Sequence, residues 1–255
     1  MLRSRPWLRP CLLSGNFAAA CATVATRFQE PWLFVPAALF HGSFICAVVH
    51  PRCGWFGPVV THFATEAREL WLTIDDGPAG DDSLRLGDEL ARRTVRATFF
   101  VKGENLARSP QVAGRWLAAG HTLANHTQTH PAHSFVWLTQ RGLAREIGEC
   151  DAVLRDAGVS KRHWFRPPVG LKNVRLHPEL RRRDMRLIGW NARSGDGVRC
   201  EPGSVVRRVL RRAAPGAIVL MHEGRPGAVE TILRTVDELR ARGFSFVIPA
   251  DAHLR

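Results

Sequence analysis

From residue 71 onward, short apolar runs alternate with longer stretches in which apolar residues recur every three or four positions. The run from Ala97 to Val101 is almost wholly apolar, as expected of a strand covered on both faces of a parallel sheet. The longer stretches have the period of amphipathic helices. Repeated strand–helix alternation predicts a barrel or a doubly wound sheet. The predicted strands are 71–75, 96–101, 121–125, 163–166, 186–191, 216–221 and 244–248, and the predicted helices lie near 83–93, 110–119, 141–157, 178–184, 203–213 and 226–242.

The first fifty residues have a different pattern. Pro10 to Thr26 contains no charged residue, and Pro31 to Val49 is a second uncharged stretch of 19 residues. A helix of that length spans about 28 Å, close to the roughly 30 Å hydrocarbon thickness of a bilayer. A signal segment and a soluble apolar extension are the alternatives. The predicted organisation is an N-terminal membrane hairpin over 1–50, a linker over 51–70 and a catalytic domain over 71–255.

Positive residues flank the predicted hairpin. Arg3, Arg5 and Arg9 precede the first uncharged stretch, and Arg52 follows the second. The excess of positive charge on cytoplasmic flanks favours a cytoplasmic N-terminus, and two crossings return the chain to the same side. We therefore expect the protein at the inner membrane, with its catalytic domain facing the cytoplasm.

Composition and charge narrow the range of partners. All but four of the 36 basic residues and all but one of the 23 acidic residues follow residue 50, so the domain carries +10 of the chain's net +13. Such a charge suits a membrane surface or a phosphorylated substrate. The arginines are scattered and no nucleic-acid motif accompanies them, so we predict no nucleic-acid partner. The six cysteines include no C-x-x-C pair and are predicted to be free thiols.

Polar residues that carry chemistry follow the ends of the predicted strands, which in a barrel share one face. The spacing of His126 and His130 places two imidazoles on one side of a turn, and one carboxylate would complete three ligands to a divalent metal. Zinc held in this way polarises a carbonyl and acidifies water. Adjacent carboxylates take different roles, because like charges separate their pKa values. The candidates are Asp75, Asp76, His126, His130, Arg166, Asp196 and His222.

These residues resemble the motifs of the NodB-type polysaccharide deacetylases, the carbohydrate esterase family four, which remove N-acyl groups from amino sugars. The resemblance runs from about Trp71 to Pro249 and implies a distorted (β/α)7 barrel. The chain segments 73–77, 125–130, 166–170 and 218–222 are similar to the family's T-F-D-D-G, N-H-[ST]-x-x-H, R-x-P-x-G and late L-x-x-H-like motifs.

The resemblance also implies a role for each residue. Water attacks the amide carbonyl while Asp75 takes its proton, the departing amine receives a proton from His222, and acetate or formate leaves with a free amino sugar. The remaining roles are metal binding by Asp76, His126 and His130, orientation of Asp75 by Arg166, tuning of His222 by Asp196, and support of the oxyanion by the Val169 N–H. Zinc is the expected metal, and cobalt or nickel could substitute.

One motif departs from the family. Where D-x-x-D-W is expected, the chain has Arg193, Ser194, Gly195, Asp196 and Gly197. Asp196 keeps the carboxylate, but the first acid is an arginine and the tryptophan is a glycine. Loss of an aromatic wall and gain of a cation favour a phosphate-bearing substrate over a long polymer. Together with the hairpin and the charge, this predicts a lipid-linked, N-acylated amino sugar.

Two other functions compete with this one. A non-catalytic glycan-binding protein would be expected to have lost at least one catalytic residue, and none is lost. A metal-dependent amidohydrolase acting on a non-sugar amide would share every motif, so the sequence leaves that alternative open.

Overall fold

A parallel sheet forms the centre of the computed structural model, which describes residues 8–26, 29–30, 32, 34–160, 163–197 and 201–255. Each predicted strand is present, although several are shorter than expected. One further strand, β6, was not predicted, because two residues carry too little pattern. The strands are β1 (Glu69–Asp75), β2 (Ala97–Val101), β3 (Thr122–Asn125), β4 (Trp164–Phe165), β5 (Arg186–Leu187), β6 (Ala192–Arg193), β7 (Ala217–His222) and β8 (Ser245–Phe246).

The sheet is a curled half-barrel. Its strand order is β5-β4-β3-β2-β1-β7-β6, and β8 pairs with the start of β1. Every pairing of these strands is parallel, as the unbroken apolar runs predict. The expected distorted (β/α)7 barrel is thus present in its strand–helix alternation, but in the described part of the chain no ladder joins β5 to β6. Both edge strands have only two residues, too short for a continuous ladder.

Helices cover the outer face of the sheet and form the N-terminal hairpin. Capping residues define where some of them begin: the Thr139 hydroxyl accepts a hydrogen bond from the Gly142 N–H at 3.1 Å, and Pro110 occupies the first turn of α5. The short α4 was not predicted. The helices are α1 (Leu8–Ala25), α2 (Phe34–Val49), α3 (Asp81–Arg92), α4 (Gly103–Arg108), α5 (Pro110–Ala118), α6 (Gln140–Asp156), α7 (Leu176–Arg182), α8 (Pro202–Leu210) and α9 (Ala228–Ala241).

Alternation along β1 decides which side chains face the site. Leu72 and Ile74 belong to the apolar core between the sheet and the outer helices. Trp71 points to the opposite, concave side, where its Nε1–H donates to Thr98 Oγ1 at 2.8 Å. Because side chains alternate along a strand, Thr73 and Asp75 share the concave side with Trp71. The strand therefore delivers Asp75 to the mouth of the half-barrel.

The two N-terminal stretches form α1 and α2, which contact each other. Among the described residues, no helix combines the length and the apolar character needed to cross a membrane. The membrane-spanning hairpin expected from the sequence therefore has no support in the structure. Helix α2 has 16 residues, about 24 Å of helix, because it begins three residues later than the uncharged stretch. The predicted positive flanks Arg3 and Arg5 lie outside the described residues.

The cysteines that the structure describes with their side chains confirm the prediction of free thiols. Cys21 and Cys46 are exposed, Cys53 is half-buried and Cys150 is buried, and all four are unpaired. Cys200 lies outside the described residues, as does the side chain of Cys11.

Candidate active site

The turn after β1 presents two adjacent carboxylates in different directions. Asp75 is buried at the end of the strand, whereas Asp76 has a left-handed backbone with φ 78° and is half-buried. Aspartate adopts this conformation more readily than most residues. The next residue, Gly77, allows close packing, since a Cβ there would lie 1.6 Å from Glu223 Oε1. The turn thus separates the carboxylates, as different roles require.

Asp76, His126 and His130 form a group suited to a metal ion. Their potential ligand atoms all lie within 4.8 Å of one another. The Asp76 Oδ1 atom is 3.3 Å from His130 Nε2 and 3.9 Å from His126 Nε2, and it is buried without a hydrogen-bond partner. A buried carboxylate oxygen without a donor is costly, and a cation would offset that cost. Two imidazoles and one carboxylate match the donor set of a zinc site with an open position.

Neighbouring groups hold these ligands in the right protonation state. His126 Nδ1 lies 2.7 Å from the Arg166 carbonyl oxygen, to which only a protonated Nδ1 can donate, so Nε2 is the ring nitrogen available to a metal. Burial, with a contribution from His126, lowers the pKa of His130 to about 4. Burial raises the pKa of Asp76, but the charges of His126, His130, His222 and Lys102 together outweigh it and the net pKa is lowered. A neutral imidazole and an ionised carboxylate are the forms that bind metal.

Arg166 holds Asp75 through a fully buried guanidinium. Its Nη1–H donates to Asp75 Oδ1 at 2.7 Å and to Thr73 Oγ1 at 2.9 Å. The Nε–H and an Nη2–H donate to the carbonyl oxygens of Ile188 at 3.1 Å and Gly189 at 3.0 Å. Each of the three guanidinium nitrogens therefore donates at least one hydrogen bond. This fixes the guanidinium, and with it the orientation of the Asp75 carboxylate beside the metal ligands.

His222 and Asp196 face this group from the other side of β1. His222 is the register partner of Asp75 in the β1–β7 pairing. Its Nδ1 lies 2.6 Å from Asp196 Oδ1, and its backbone N–H donates to Asp196 Oδ2 at 3.0 Å. Burial lowers the pKa of His222, but the Asp196 hydrogen bond and charge outweigh it, so the net pKa is raised. The raised pKa favours the protonated ring that a general acid requires.

The altered motif leaves one side of His222 open. A Cβ at Gly197 would lie 3.5 Å from His222 Cε1, so a larger side chain there would cover the ring. The Gly197 carbonyl instead accepts a hydrogen bond from the exposed Arg225, and the Arg193 carbonyl accepts one from Arg212 at 3.4 Å. Arginines thus surround the segment where the family has an aromatic wall.

Val169 lies on a 3-10 turn formed by Pro168–Gly170, shortly after β4 and Arg166. Its φ of 57° is left-handed, which is an outlier for a β-branched residue, and its side chain is exposed. Strain of this kind persists where the surroundings impose it, often at functional sites. The role of its N–H as an oxyanion donor stays a prediction.

Two residues near the site were missed by the sequence reasoning. Lys102 Nζ lies 3.9 Å from Asp76 Oδ1, and the buried Glu223 accepts a hydrogen bond from the Ser83 hydroxyl beneath the turn after β1. Burial raises the pKa of Glu223 to about 7. Both residues directly follow strands, β2 and β7, and the strand-end rule that selected Asp75 and His222 would have found them.

Comparison with known proteins finds relatives of most of the chain. The family model described as polysaccharide deacetylase matches residues 63–188. A chitooligosaccharide deacetylase of Rhizobium leguminosarum bv. trifolii is 32% identical over 197 residues, which cover 71% of this chain and 90% of that protein. The peptidoglycan-N-acetylglucosamine deacetylase PgdA of Listeria monocytogenes is 28% identical over 189 residues, which cover 71% of this chain and 38% of that protein.

Solved structures agree on the fold. A carbohydrate esterase family 4 pseudoenzyme from Bacillus anthracis superposes with a TM-score of 0.67 at 25% identity, covering 74% of this chain and 66% of that chain. Because that neighbour is a pseudoenzyme, the fold is shared by active and inactive proteins, and the residues of the site distinguish them.

Proposed function

Because the chain belongs to the polysaccharide deacetylase family, we propose that it is a divalent-metal-dependent deacetylase of N-acetylglucosamine units. The names of the rhizobial and Listeria relatives support this sugar. The observation that carries the proposal is the placement of one metal-ligand group, Asp76, His126 and His130, beside the Asp75–Arg166 pair. The His222–Asp196 pair lies across β1 from them.

Each side chain has a defined task in this reaction. Asp75, oriented by Arg166, accepts the proton of the attacking water. His222 donates a proton from Nε2 to the departing amine, since its Nδ1 is engaged by Asp196. The Val169 N–H is the proposed oxyanion donor. A divalent cation, when bound by Asp76, His126 and His130, supplies polarisation of the amide carbonyl and acidification of water.

The metal proposal is tested by elemental analysis of the purified protein. We expect about one equivalent of a divalent metal, with zinc favoured by the two imidazoles. The His126→Ala/His130→Ala double variant should lose most of it, because only one ligand remains. His133→Ala, which removes an exposed histidine from the same loop, is the matched control and should retain the metal. A full equivalent in the double variant would disprove the ligand assignment.

We further propose that the natural substrate is lipid-linked and phosphate-bearing, and that the enzyme works at the inner membrane facing the cytoplasm. The positions of Lys102 beside Asp76 and of Arg225 beside Gly197 support an anionic group near the reacting amide. The net charge of +13 agrees with that substrate class.

The substrate proposal is tested by comparing turnover of two compounds by the purified enzyme. We expect a polyprenyl-phosphate-linked N-acetylamino sugar to be deacetylated faster than N-acetylglucosamine oligomers, and the domain to resist protease added to spheroplasts. If only the oligomers are turned over efficiently, the proposal of a lipid-linked substrate is wrong. If the protease cleaves the domain in spheroplasts, the proposed cytoplasmic orientation is wrong. A non-sugar amide turned over in preference to both compounds would favour the amidohydrolase alternative.

A further inference from the structure

Exposed large apolar side chains are concentrated in two places. Among the residues that the structure describes, nine of them lie on the α1–α2 hairpin or the turn between its helices. Three more, Trp137, Val169 and Val174, lie on two loops of the domain, and Trp137 is 81% exposed. Single exposed apolar residues are normal, but contiguous groups mark interaction sites. The nine hairpin residues are Phe17, Val24, Trp32, Phe34, Val35, Leu39, Phe44, Ile45 and Val49.

Hydrogen bonds join these two places. The Lys172 N–H donates to the Val48 carbonyl oxygen at 2.9 Å, and Lys172 Nζ donates to the His50 carbonyl oxygen at 2.5 Å. The end of α2 is therefore fixed to the loop that carries Val169 and Val174. The amide of Asn173, the next residue, donates to the carbonyl oxygens of residues 135, 136 and 138 at 3.0–3.1 Å. This second tie holds the turn that contains Trp137 against the same loop.

These hydrogen bonds connect the end of α2 to the two domain loops, and we call the twelve exposed side chains together the apolar surface. It extends from the hairpin, through the loop around Lys172, to Val169 at the candidate active site. A partner that covers the end of α2 therefore also lies close to the loop that carries Val169, the residue proposed to supply the oxyanion donor.

The chemistry of the apolar surface favours lipid over a protein partner. Residues 10–26 and 31–49 contain no charged side chain. Leu39 and Phe44 of α2 are both exposed, yet five residues correspond to a rotation of about 140°, so the exposed apolar side chains do not form one narrow stripe. A protein partner usually covers one face of a helix, whereas a helix that is apolar around its circumference is suited to hydrocarbon.

Polar anchors border the apolar surface as they do at a bilayer interface. Trp32, in the turn between the two helices, is 63% exposed and its Nε1–H donates to Glu30 at 2.8 Å. Exposed Arg52 follows α2 and exposed Arg175 follows Val174. Tryptophan with one polar end is enriched at membrane interfaces, and arginines there attract anionic headgroups. The overall positive charge of the chain acts in the same direction.

We propose that the apolar surface binds a lipid bilayer containing anionic lipids, and that this contact places the candidate active site at the level of the headgroups. The binding itself is independent of the deacetylase activity, whereas the placement of the site rests on the proposed function. A substrate whose amino sugar is joined to a lipid would meet the site without leaving the bilayer.

Flotation of the full-length protein with vesicles tests the proposal. Vesicles of phosphatidylcholine, with and without phosphatidylglycerol, serve as the probes. We expect the wild-type protein to float with both and more strongly with the anionic lipid. Leu39→Glu should reduce the bound fraction by at least about tenfold, since it removes a leucine that the bilayer would cover and adds a charge. Trp137→Ser should weaken binding several-fold, and Gln111→Glu, which adds the same charge at an exposed position of α5, should leave binding unchanged.

Separate measurements test membrane binding by the apolar surface and deacetylase activity independently. Deacetylation of soluble N-acetylglucosamine oligomers by Leu39→Glu should match the wild-type rate, which also shows that the variant is folded. Wild-type protein that does not float, or Leu39→Glu that floats as well as wild type, would disprove membrane binding by the apolar surface. A wild-type dimer dissociated by Leu39→Glu, without vesicle binding, would assign the surface to a second copy instead. If the wild-type protein floats but is inactive on every sugar tested, membrane binding by the apolar surface is supported and the deacetylase activity is disproved.

Discussion

Asp75→Asn should lower deacetylation by roughly 10²–10⁴-fold, the usual contribution of a general base. The amide has the shape of the carboxylate and still offers an oxygen to the Arg166 Nη1–H, but it does not take up the proton of water. Asp75 is not part of the ligand group, so bound metal should stay close to the wild-type level. Initial rates on N-acetylglucosamine oligomers at saturating metal, with metal measured in parallel, give the two readouts.

The matched control for this variant is Asp81→Asn, an exposed aspartate six residues away at the start of α3. It should retain both rate and metal. A near wild-type rate in Asp75→Asn would show that another group accepts the proton. Loss of metal together with rate would instead place Asp75 among the ligands, since its Oδ2 lies 3.7 Å from His126 Nε2.

Arg166→Met should reduce the free energy of unfolding by about 3–5 kcal/mol, the usual cost of breaking a buried ion pair. Arg166 is 0% exposed, and its loss leaves the Asp75 carboxylate and two backbone carbonyls without their donors. Its guanidinium also lies 4.1 Å from the centre of the Phe100 ring, so packing is lost as well. Chemical denaturation followed by circular dichroism measures the change, and the rate should fall with it.

Two further variants separate charge from fold in that experiment. Arg141→Met, at an exposed position of α6, is the control and should unfold like wild type. Asp75→Asn/Arg166→Met removes both charges, so its destabilisation should be smaller than the sum of the single effects. If Arg166→Met is as stable as Arg141→Met, or if the double variant is strictly additive, the ion pair does not contribute as described.

Much of the fold follows from local pattern, because long strands and helices repeat it. The strand predicted over 96–101 and the helix predicted over 141–157 begin and end within one residue of β2 and α6. By contrast, β6 has two residues and α4 has six, so neither contains enough periods to be recognised. The sheet is open between β5 and β6 because each of these strands has only two residues, whereas the apolar run predicts one strand over 186–191.

The candidate site was predictable where a residue type and a strand end coincide. Asp75, His126 and His222 meet that condition, and the structure brings them together. The acceptors of Arg166 at Ile188 and Gly189 are backbone atoms, which carry no signal in the sequence. For the same reason, the tie between Lys172 and the end of α2 could not be foreseen, since both of its acceptors are backbone carbonyl oxygens far from Lys172 in the chain.

Arg166 serves the site through two different parts of one residue. Its side chain orients the carboxylate of Asp75, while its carbonyl oxygen contacts Nδ1 of His126. A displacement of Arg166 is therefore expected to move the base and this ligand together. His222 lies at the end of β7 and Asp196 follows β6, and neither is held by Arg166. The place of His222 relative to Asp75 is set instead by the β1–β7 pairing, so a shift of Arg166 is expected to change the geometry of the base and this ligand while the acid keeps its position.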